Sequence, residues 1–365
     1  MVKLGIYSNF SHPHEGGSEQ VLKNISERMV SDYNFDVTSF SYSTNNSIIH
    51  KNVKYEKCPK GQDLINNINN FDIIYVYSDS FWGWPTILDN INSIKPKIFL
   101  APVGMYDMLG NPERFEIFKN NINKFQIITH SDTYQDYKTC IDNNFPIKVI
   151  PNGVNIEEFD NNGIDFREKY HLENKKILLS VGNFFYAKGQ EYLPDIGLEL
   201  IRRCFKNFIF VLISSSIKYP YEKLFMDRCF KKFESTKVPY LSLRNIPRED
   251  VVAAFKHSDA FVFPSRKEVA PIVILESMAA SLPWAAVGVG NIPYLEGGER
   301  IEPLKIDEKG YKVLTLSDIH TFASVVDNMA NSIIREAVGK EGRKEVEEKY
   351  NWKKICKQYY EIFTS

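Results

Sequence analysis

Charged residues in two loops of the second half of the chain have the types and positions needed to bind phosphate and hydroxyl groups. Lys188 follows the apolar run 176–181, and Glu268 follows the apolar run 260–263. A lysine in a loop that leads from a strand into a helix can meet a phosphate, and a carboxylate accepts hydrogen bonds from hydroxyls. Glu276 interrupts an apolar helical stretch, where a carboxylate is costly to bury without partners. It is therefore expected either to bind a ligand or to face solvent.

Backbone groups in the same half of the chain could add polar contacts. A helix is predicted to begin near Pro271, because proline is favoured in the first helical turn. The amide groups that this start leaves unpaired, at Ile272 and Val273, suit an anion. Arg244 and Asn245 belong to a loop of similar placement, where backbone groups could hold a base.

The first half of the chain has a weaker signal. The pair Gly16-Gly17 lies in the segment 14–19, between the first predicted strand and its helix, where glycines let the backbone approach a ligand closely. A plain turn is the alternative reading of this segment. The pattern differs from the dinucleotide fingerprint GxGxxG, so a dinucleotide cofactor is not expected.

Short apolar runs alternate with longer amphipathic stretches along the whole chain. This alternation is typical of a doubly wound parallel sheet, and it restarts after the turn signal at 151–153. In open sheets of this kind, ligands bind at the carboxyl ends of the strands, which is where the segments named above would lie. The predicted strands are 2–7, 71–77, 97–101, 125–129 and 148–150 in the first half, and 176–181, 208–213, 260–263 and 284–287 in the second.

The composition excludes several classes of protein. Hydrophobic residues make up 43% and charged residues 25% of the chain, and the net charge of −1 provides no field for nucleic acid. The five cysteines are scattered without a CxxC pair, which favours reduced thiols over a zinc site or a disulfide framework. No apolar run approaches the ~20 residues that span a bilayer, and the first residues resemble a strand rather than a signal peptide. A cytoplasmic protein is expected.

Several motifs, in this order along the chain, resemble those of the retaining GT-B glycosyltransferases of family four, the glycosyl transferases group 1. The most specific is Glu268 and Glu276 with seven residues between them, followed by SMAASLP at 277–283, which is close to the family pattern E-x7-E-A-M-A-x-G-x-P. The resemblance covers nearly the whole chain. The other motifs are IPNGVN at 150–155 with Phe159, VG at 181–182 with KG at 188–189, GNIP at 290–293 and YNW at 350–352.

The resemblance implies an α/β protein with two Rossmann-like domains that face each other across a cleft. Residues 1–155 would form an N-terminal acceptor-binding domain, and residues 156–345 a C-terminal domain that binds a nucleotide sugar. Residues 346–365 would form a C-terminal helix that crosses back and packs on the N-terminal domain.

The resemblance also implies a role for each site residue. Glu276 would hold the ribose hydroxyls of the donor, and Glu268 would contact the hexose. Lys188 would neutralise the diphosphate with help from the amides of Ile272 and Val273. Such enzymes transfer a sugar with retention of configuration and without a metal. Because no Asp-x-Asp motif is visible, neither a metal nor another cofactor is expected, and Asp79 is interpreted as part of a strand end.

Further site residues follow from where the chain matches or departs from the family pattern. Gly17 would let the first half approach the phosphates. Asn183 stands where the family usually has Arg, so one phosphate cation is missing, and Arg266 in the opposite loop is a candidate to compensate. Pro271 replaces a common Gly. His130, after the strand 125–129, is a candidate substitute for a family His near the transferred sugar, although a lone His is more often structural.

The expected partners are a nucleotide-sugar donor and a glycan, lipid-linked or protein acceptor, with peripheral contact to the inner face of a membrane as a further option. Uracil and guanine donors are both compatible with the pattern, and the oligomeric state is open. Two alternatives to this enzyme also stay open. One is a non-catalytic, transferase-like partner subunit, to which the departures at Asn183 and Pro271 point. The other is a different GT-B enzyme, such as a sugar-nucleotide epimerase or a phosphorylase.

Overall fold

The computed structural model describes residues 1–13, 16–78, 80–161, 163–217 and 219–365. The chain forms two compact units. The first consists of Met1–Asn152 together with Trp352–Ser365, and the second consists of Gly153–Asn351.

Each unit contains one sheet. The strands of the first unit are β1 (Lys3–Ser8), β2 (Asp36–Ser41), β3 (Ile48–His50), β4 (Val53–Lys57), β5 (Ile73–Tyr77), β6 (Lys97–Ala101), β7 (Phe125–Thr129) and β8 (Ile147–Val149). Those of the second unit are β9 (Lys176–Val181), β10 (Phe208–Ser214), β11 (Tyr240–Arg244), β12 (Ala260–Phe263), β13 (Trp284–Val287) and β14 (Gly298–Ile301).

Helices connect most of these strands. In the first unit they are α1 (Gly17–Ser31), α2 (Gly61–Ile68), α3 (Trp84–Asp89), α4 (Tyr106–Gly110), α5 (Pro112–Asn120) and α6 (Gln135–Asp142). The second unit has α7 (Glu157–Asp160), α8 (Phe166–Lys169), α9 (Leu193–Arg202), α10 (Pro220–Thr236), α11 (Arg248–His257), α12 (Ile272–Ala279), α13 (Leu316–Met329) and α14 (Ser332–Glu345). The last helix, α15 (Trp352–Thr364), belongs to the first unit.

The strand orders confirm the predicted fold class of two Rossmann-like α/β domains. The first sheet has the order β3-β4-β2-β1-β5-β6-β7-β8, and its neighbours are parallel except for β3 and β4. The second has the order β11-β10-β9-β12-β13-β14, the doubly wound order 3-2-1-4-5-6 when its strands are counted from β9. Parallel strands of this kind are covered on both faces, and the central strands of each unit are accordingly apolar and buried.

The C-terminal helix packs within the first unit. The ring of Phe363 lies 4.8 Å from that of Phe99 on β6, and the hydroxyls of Tyr359 and Tyr75 are 3.4 Å apart. Tyr360 stacks on Tyr33, two residues after the end of α1, with ring centroids 4.4 Å apart. The helix therefore buries its apolar face against α1 and the first sheet. None of the helices in the described ranges combines the length and apolar character that crossing a lipid bilayer demands.

Candidate functional site

The centre of the second sheet brings Lys188 and Glu268 together. The strand order reverses between β9 and β12, so the loops that leave these two neighbouring strands open a crevice at their carboxyl ends. Lys188 ends the 3-10 turn Tyr186–Lys188 after β9, and Glu268 lies in the loop after β12. Lys188 Nζ is 2.6 Å from Glu268 Oε1, and the two side chains are 28% and 10% exposed. This ion pair is held in place and still open to solvent.

Contacts between the two loops fix the position of the pair. The Ser265 hydroxyl donates a hydrogen bond of 2.5 Å to Glu268 Oε1, and the Arg266 amide donates one of 2.7 Å to the carbonyl of Ala187. Gly189 has φ +65°, and a Cβ there would lie 2.1 Å from the carbonyl oxygen of Pro264. Only glycine allows this close approach of the two loops. Backbone contacts between the two loops therefore fix the positions of Lys188 and Glu268, in addition to the contact between their side chains.

A third segment supports the carboxylate loop from its other side. The amide of Asn291 donates a hydrogen bond of 3.0 Å to the carbonyl of Val269. Gly290 has φ +59°, and a Cβ there would lie 2.4 Å from the Val269 oxygen and 2.7 Å from that of Glu268. The sequence GNIP at 290–293 thus has a structural role in shaping the loop that carries Glu268.

The N-terminus of α12 points to anion binding. The helix begins at Ile272, and Pro271, which precedes it, has no side-chain group that could cap it. Uncapped amides in a first turn, together with the positive end of the helix dipole, attract negative charge. The amides of Ile272 and Val273 belong to this first turn, as the sequence predicted for the start of the helix. Their contact with a phosphate stays a prediction.

Glu276 is buried, so the alternative of a solvated helix residue is wrong. It is 6% exposed, and its Oε1 lies 2.6 Å from Nη1 of Arg248. Burial raises the pKa of Glu276 above its ordinary value, and the Arg248 guanidinium opposes this rise. The role of Glu276 towards a ribose stays a prediction.

Arg248 is the residue of this region that the sequence analysis missed. It begins α11, and its guanidinium also contacts Glu158 Oε2 through Nε at 2.9 Å and Nη2 at 2.8 Å. Glu158 in turn accepts a hydrogen bond of 3.0 Å from Asn155, which belongs to the IPNGVN motif. A cation in the first turn of a helix faces the positive end of the dipole, so an arginine there requires anionic partners. That signal in the sequence could have identified Arg248.

Arg266 takes part in an internal ion pair. It is 5% exposed, and its guanidinium pairs with Glu191. The guanidinium carbon lies 3.8 Å from the ring centre of Tyr186 and 4.6 Å from that of Tyr192. Burial raises the pKa of Glu191, and Arg266 opposes the rise. This geometry gives no support to the expectation that Arg266 replaces the missing phosphate cation, because its charge is already matched and enclosed.

Asn183, Arg244 and Asn245 lie at the carboxyl edge of the same sheet. The Oδ1 atom of Asn183 accepts hydrogen bonds from Ser215, at 3.1 Å from its amide and 2.6 Å from its hydroxyl. Asn183 therefore connects the loops after β9 and β10. Arg244 ends β11 and is exposed, and Asn245 follows with φ +52°. These positions are compatible with the expected base site and do not test it.

In the first unit, Gly17 opens the helix that follows β1. A Cβ at Gly17 would have no described heavy atom within 4 Å, so the backbone there is open to an approaching ligand. His14 and Glu15, which belong to the same segment of the sequence, lie outside the described residues. A cavity of about 190 Å³ lies beside this turn, and its lining includes Ser18, Glu19 and Tyr77.

His130 is buried at the end of β7. Its Nδ1 lies 3.1 Å from the carbonyl oxygen of Ile150, and its ring centre is 5.7 Å from that of Tyr77. Burial lowers the pKa of His130, so the ring is neutral near pH 7. Its Nε2 has no hydrogen-bond partner in the described part of the chain. A contact of this atom with a sugar stays a prediction.

A metal centre would require several acidic, histidine or cysteine side chains close together. Within the described ranges, no three of these side chains converge in the way that metal ligands would. Asp79, which the sequence analysis interpreted as part of a strand end, lies outside those ranges.

Known proteins resemble this chain in sequence and in fold. Residues 163–297 match the model of the family glycosyl transferases group 1. An uncharacterized glycosyltransferase of Methanocaldococcus jannaschii is 29% identical over 65% of this chain and 59% of its own length. The Escherichia coli enzyme named UDP-Gal:alpha-D-GlcNAc-diphosphoundecaprenol alpha-1,3-galactosyltransferase is 26% identical over 65% of this chain and 59% of its own length. The chain thus spans less than two thirds of the length of these two relatives.

The fold similarity extends over the whole chain. The sucrose-phosphate synthase of Thermosynechococcus elongatus superposes with a TM-score of 0.80, covering 100% of this chain and 98% of that one at 16% identity. The group 1 match lies in the second unit, which carries Lys188, Glu268 and Glu276. Residues 163–297 therefore resemble the glycosyl transferases group 1, and the two Rossmann-like units have the GT-B fold.

Proposed function

We propose that the chain is a retaining, metal-independent glycosyltransferase that moves a hexose-type sugar from a nucleoside-diphosphate donor to a glycan, lipid-linked or protein acceptor. The observation that carries the proposal is the Lys188–Glu268 pair, with 2.6 Å between Nζ and Oε1, at the point where the strand order of the second sheet reverses. At this point the cation could bind the diphosphate of a nucleotide sugar, and the carboxylate could bind the sugar hydroxyls.

The chemistry requires stabilisation of a departing diphosphate. The acceptor hydroxyl oxygen forms a bond to C1 of the sugar while the bond from C1 to the diphosphate oxygen breaks. The hydroxyl proton leaves with the nucleoside diphosphate. Lys188 and the first turn of α12 supply positive charge where the leaving group gains negative charge, the work that Mg²⁺ does in other transferases. Glu268 accepts hydrogen bonds from the hexose.

The names of the relatives support the proposed donor and acceptor classes. The name of the Escherichia coli relative gives UDP-Gal as donor and a diphosphoundecaprenol-linked sugar as acceptor. We extend the nucleotide-sugar donor to this chain, and a lipid-linked glycan is one of its acceptor candidates. An acceptor of this kind would bring the protein to the cytoplasmic face of a membrane.

A nucleotide-sugar screen in the presence of EDTA tests the proposal. The protein is mixed with UDP-sugars and GDP-sugars, and the shift in thermal unfolding and the release of nucleoside diphosphate are measured. A ligand at 100 times its Kd adds about 2.7 kcal/mol to the stability of the folded state, which is a readily measured shift. We expect one donor to bind and turn over with EDTA present, and NMR of the product to show the anomeric configuration of the donor.

Three results would contradict the proposal at separate points. Turnover that chelation abolishes and Mn²⁺ or Mg²⁺ restores would refute metal independence. An inverted anomeric configuration in the product would refute retention. Donor binding without turnover, for every acceptor class supplied, would favour a non-catalytic partner subunit.

A further inference from the structure

Arg248 connects two segments of the second unit that are far apart in sequence. Its guanidinium contacts Glu276 on α12 through Nη1 at 2.6 Å, and Glu158 on α7 through Nε and Nη2 at 2.9 and 2.8 Å. All three guanidinium nitrogens are therefore used. The side chain is 32% exposed, whereas that of Glu276 is 8% exposed. Arg248 thus lies between the buried carboxylate and solvent.

The two carboxylates depend on Arg248 to different degrees. The side chain of Glu158 is 35% exposed, so water can solvate it. Glu276 is buried, and leaving a buried charge without its partner is strongly unfavourable. Arg248 lowers the pKa of the buried Glu276 and Glu158 raises it, so both charges act on this carboxylate. Arg343 from the adjacent α14 binds the carbonyl of Ala279 and the carboxylates of Asp160 and Glu347 instead.

The ion pair leaves Glu276 able to accept further hydrogen bonds. A carboxylate has about four lone-pair sites, and Arg248 engages Oε1. Arg248 is the first residue of α11 and Glu276 is the fifth residue of α12. Both helices follow strands of one parallel sheet, and its ligands bind at the carboxyl edge from which these helices start. An arginine that also binds a second carboxylate can hold the first one in a fixed orientation, because the planar guanidinium group directs its hydrogen bonds at fixed angles.

We propose that Arg248 is a positioning residue for the donor ribose, holding the Glu276 carboxylate in place to accept the ribose hydroxyls while Glu158 holds Arg248. This inference rests on the proposed function, since it requires a nucleotide to occupy the second unit. Arg248 acts through Glu276 and does not itself contact the donor. The IPNGVN motif takes part through Asn155, which binds the outer carboxylate.

Loss of Arg248 has a consequence that a purely structural ion pair would not produce. Burial raises the pKa of Glu276 and Arg248 opposes the rise, so removing Arg248 moves the pKa further up. A larger fraction of Glu276 is then protonated at neutral pH, and the protonated group accepts hydrogen bonds less well. The contribution of the ribose hydroxyls to binding should therefore fall in the variant, and should return as the pH is raised.

Calorimetric titration with UDP, GDP and their 2′-deoxy counterparts tests this inference. The quantity of interest is the ratio of the Kd of the deoxy form to that of the ribose form, measured from about pH 6 to about pH 9. For the wild type we expect a ratio between about 10 and about 100, because the deoxy form loses a hydrogen bond to a charged group. For Arg248→Gln we expect a ratio near 1 at neutral pH that rises towards the alkaline end.

Matched variants separate positioning from folding. Arg248→Lys keeps a cation beside Glu276 and should retain part of the ratio, and it replaces Arg248→Gln if that variant does not fold. Arg335→Gln removes an arginine from a different carboxylate, Asp259, at 2.6 Å in the same unit, and should leave the ratio unchanged. In a Glu276→Gln background, adding Arg248→Gln should cause no further loss of discrimination.

The outcomes distinguish this inference from the function on which it rests. If the wild type binds neither UDP nor GDP, the proposed function fails and the inference fails with it. If the wild type discriminates and Arg248→Gln discriminates equally at every pH, the inference is overturned and the proposed function stands. Equal weakening of ribose and deoxyribose forms by Arg248→Gln would show a structural role and would also overturn it.

Discussion

Lys188→Ala should lower kcat by on the order of 10²–10³ while raising the donor KM less. The reason is that negative charge on the nucleoside diphosphate grows as the bond to the sugar breaks, so a cation fixed at that point stabilises the transition state more than the ground state. Lys188 is fixed by Glu268 at 2.6 Å and by the loop contacts around Gly189.

The magnitude follows from what remains when the lysine is removed. Asn183 carries no charge and binds Ser215, and the guanidinium of Arg266 is matched by Glu191. Neither can replace the lysine without rearrangement. Removing one preorganised charge-stabilising group costs about 2.7–4 kcal/mol, which corresponds to the 10²–10³ stated above.

The cost in fold stability should be smaller than the catalytic cost. Glu268 keeps its hydrogen bond from Ser265, and Lys188 is 28% exposed, so solvent screens part of the pair. We expect a loss of about 1–2 kcal/mol, below the 3–5 kcal/mol for a fully buried pair. Thermal unfolding measures this loss independently of activity.

The assay is steady-state release of nucleoside diphosphate with a donor and acceptor established for the wild type. Lys223→Ala is the matched control, because Lys223 is 63% exposed on α10 and pairs with Asp227. It should leave kcat unchanged. Near-normal kcat in Lys188→Ala, together with loss of activity in a folded Arg266→Ala, would refute the reasoning and make Arg266 the phosphate cation. If neither substitution lowers kcat, the first turn of α12 alone stabilises the leaving group, or the chain is not the catalyst.

Two further predictions concern stability. Gly290→Ala should lower the free energy of unfolding by more than about 2 kcal/mol, because the left-handed backbone costs roughly 1–2 kcal/mol and a Cβ would also lie 2.4 Å from the Val269 oxygen. The control is Gly310→Ala, where φ is +77° and a Cβ would meet no described atom, so that only the backbone conformation contributes. Equal losses of stability in the two variants would contradict a steric contribution at Gly290. Because burial lowers the pKa of folded His130, the unfolded state binds the proton more tightly, and stability should fall as the pH drops below about 6.5, by up to about 1.4 kcal/mol per pH unit. Urea unfolding at about pH 5 and about pH 7.5 should show a weaker pH dependence in His130→Gln, and an unchanged dependence would assign the slope to other groups.

The sequence predicted the strands that are apolar and failed on those that are not. The predicted runs 97–101, 125–129, 176–181, 260–263 and 284–287 have the bounds that the structure gives β6, β7, β9, β12 and β13. It missed β2, where Ser41 is buried. The Ser41 hydroxyl lies 2.9 Å from that of Ser11 and 2.8 Å from that of Thr44. Polar side chains that find partners elsewhere can occupy a buried strand, and composition alone cannot show those partners.

By itself the sequence determined that the chain is α/β, and it predicted which loops would carry the site residues. The periodicity of apolar residues, the positions of glycine and proline and the E-x7-E spacing are local properties of the sequence. The parallel sheet then brings Lys188 to Glu268, because both residues follow neighbouring strands at the point where the strand order reverses. Only the tertiary structure decided what each arginine does. Arg266 is matched by Glu191 and Arg248 by Glu158 and Glu276, through contacts between residues 28 to 90 positions apart. The charge of an arginine is visible in the sequence, but its partners depend on whether folding places a carboxylate beside it, because these carboxylates belong to distant parts of the chain.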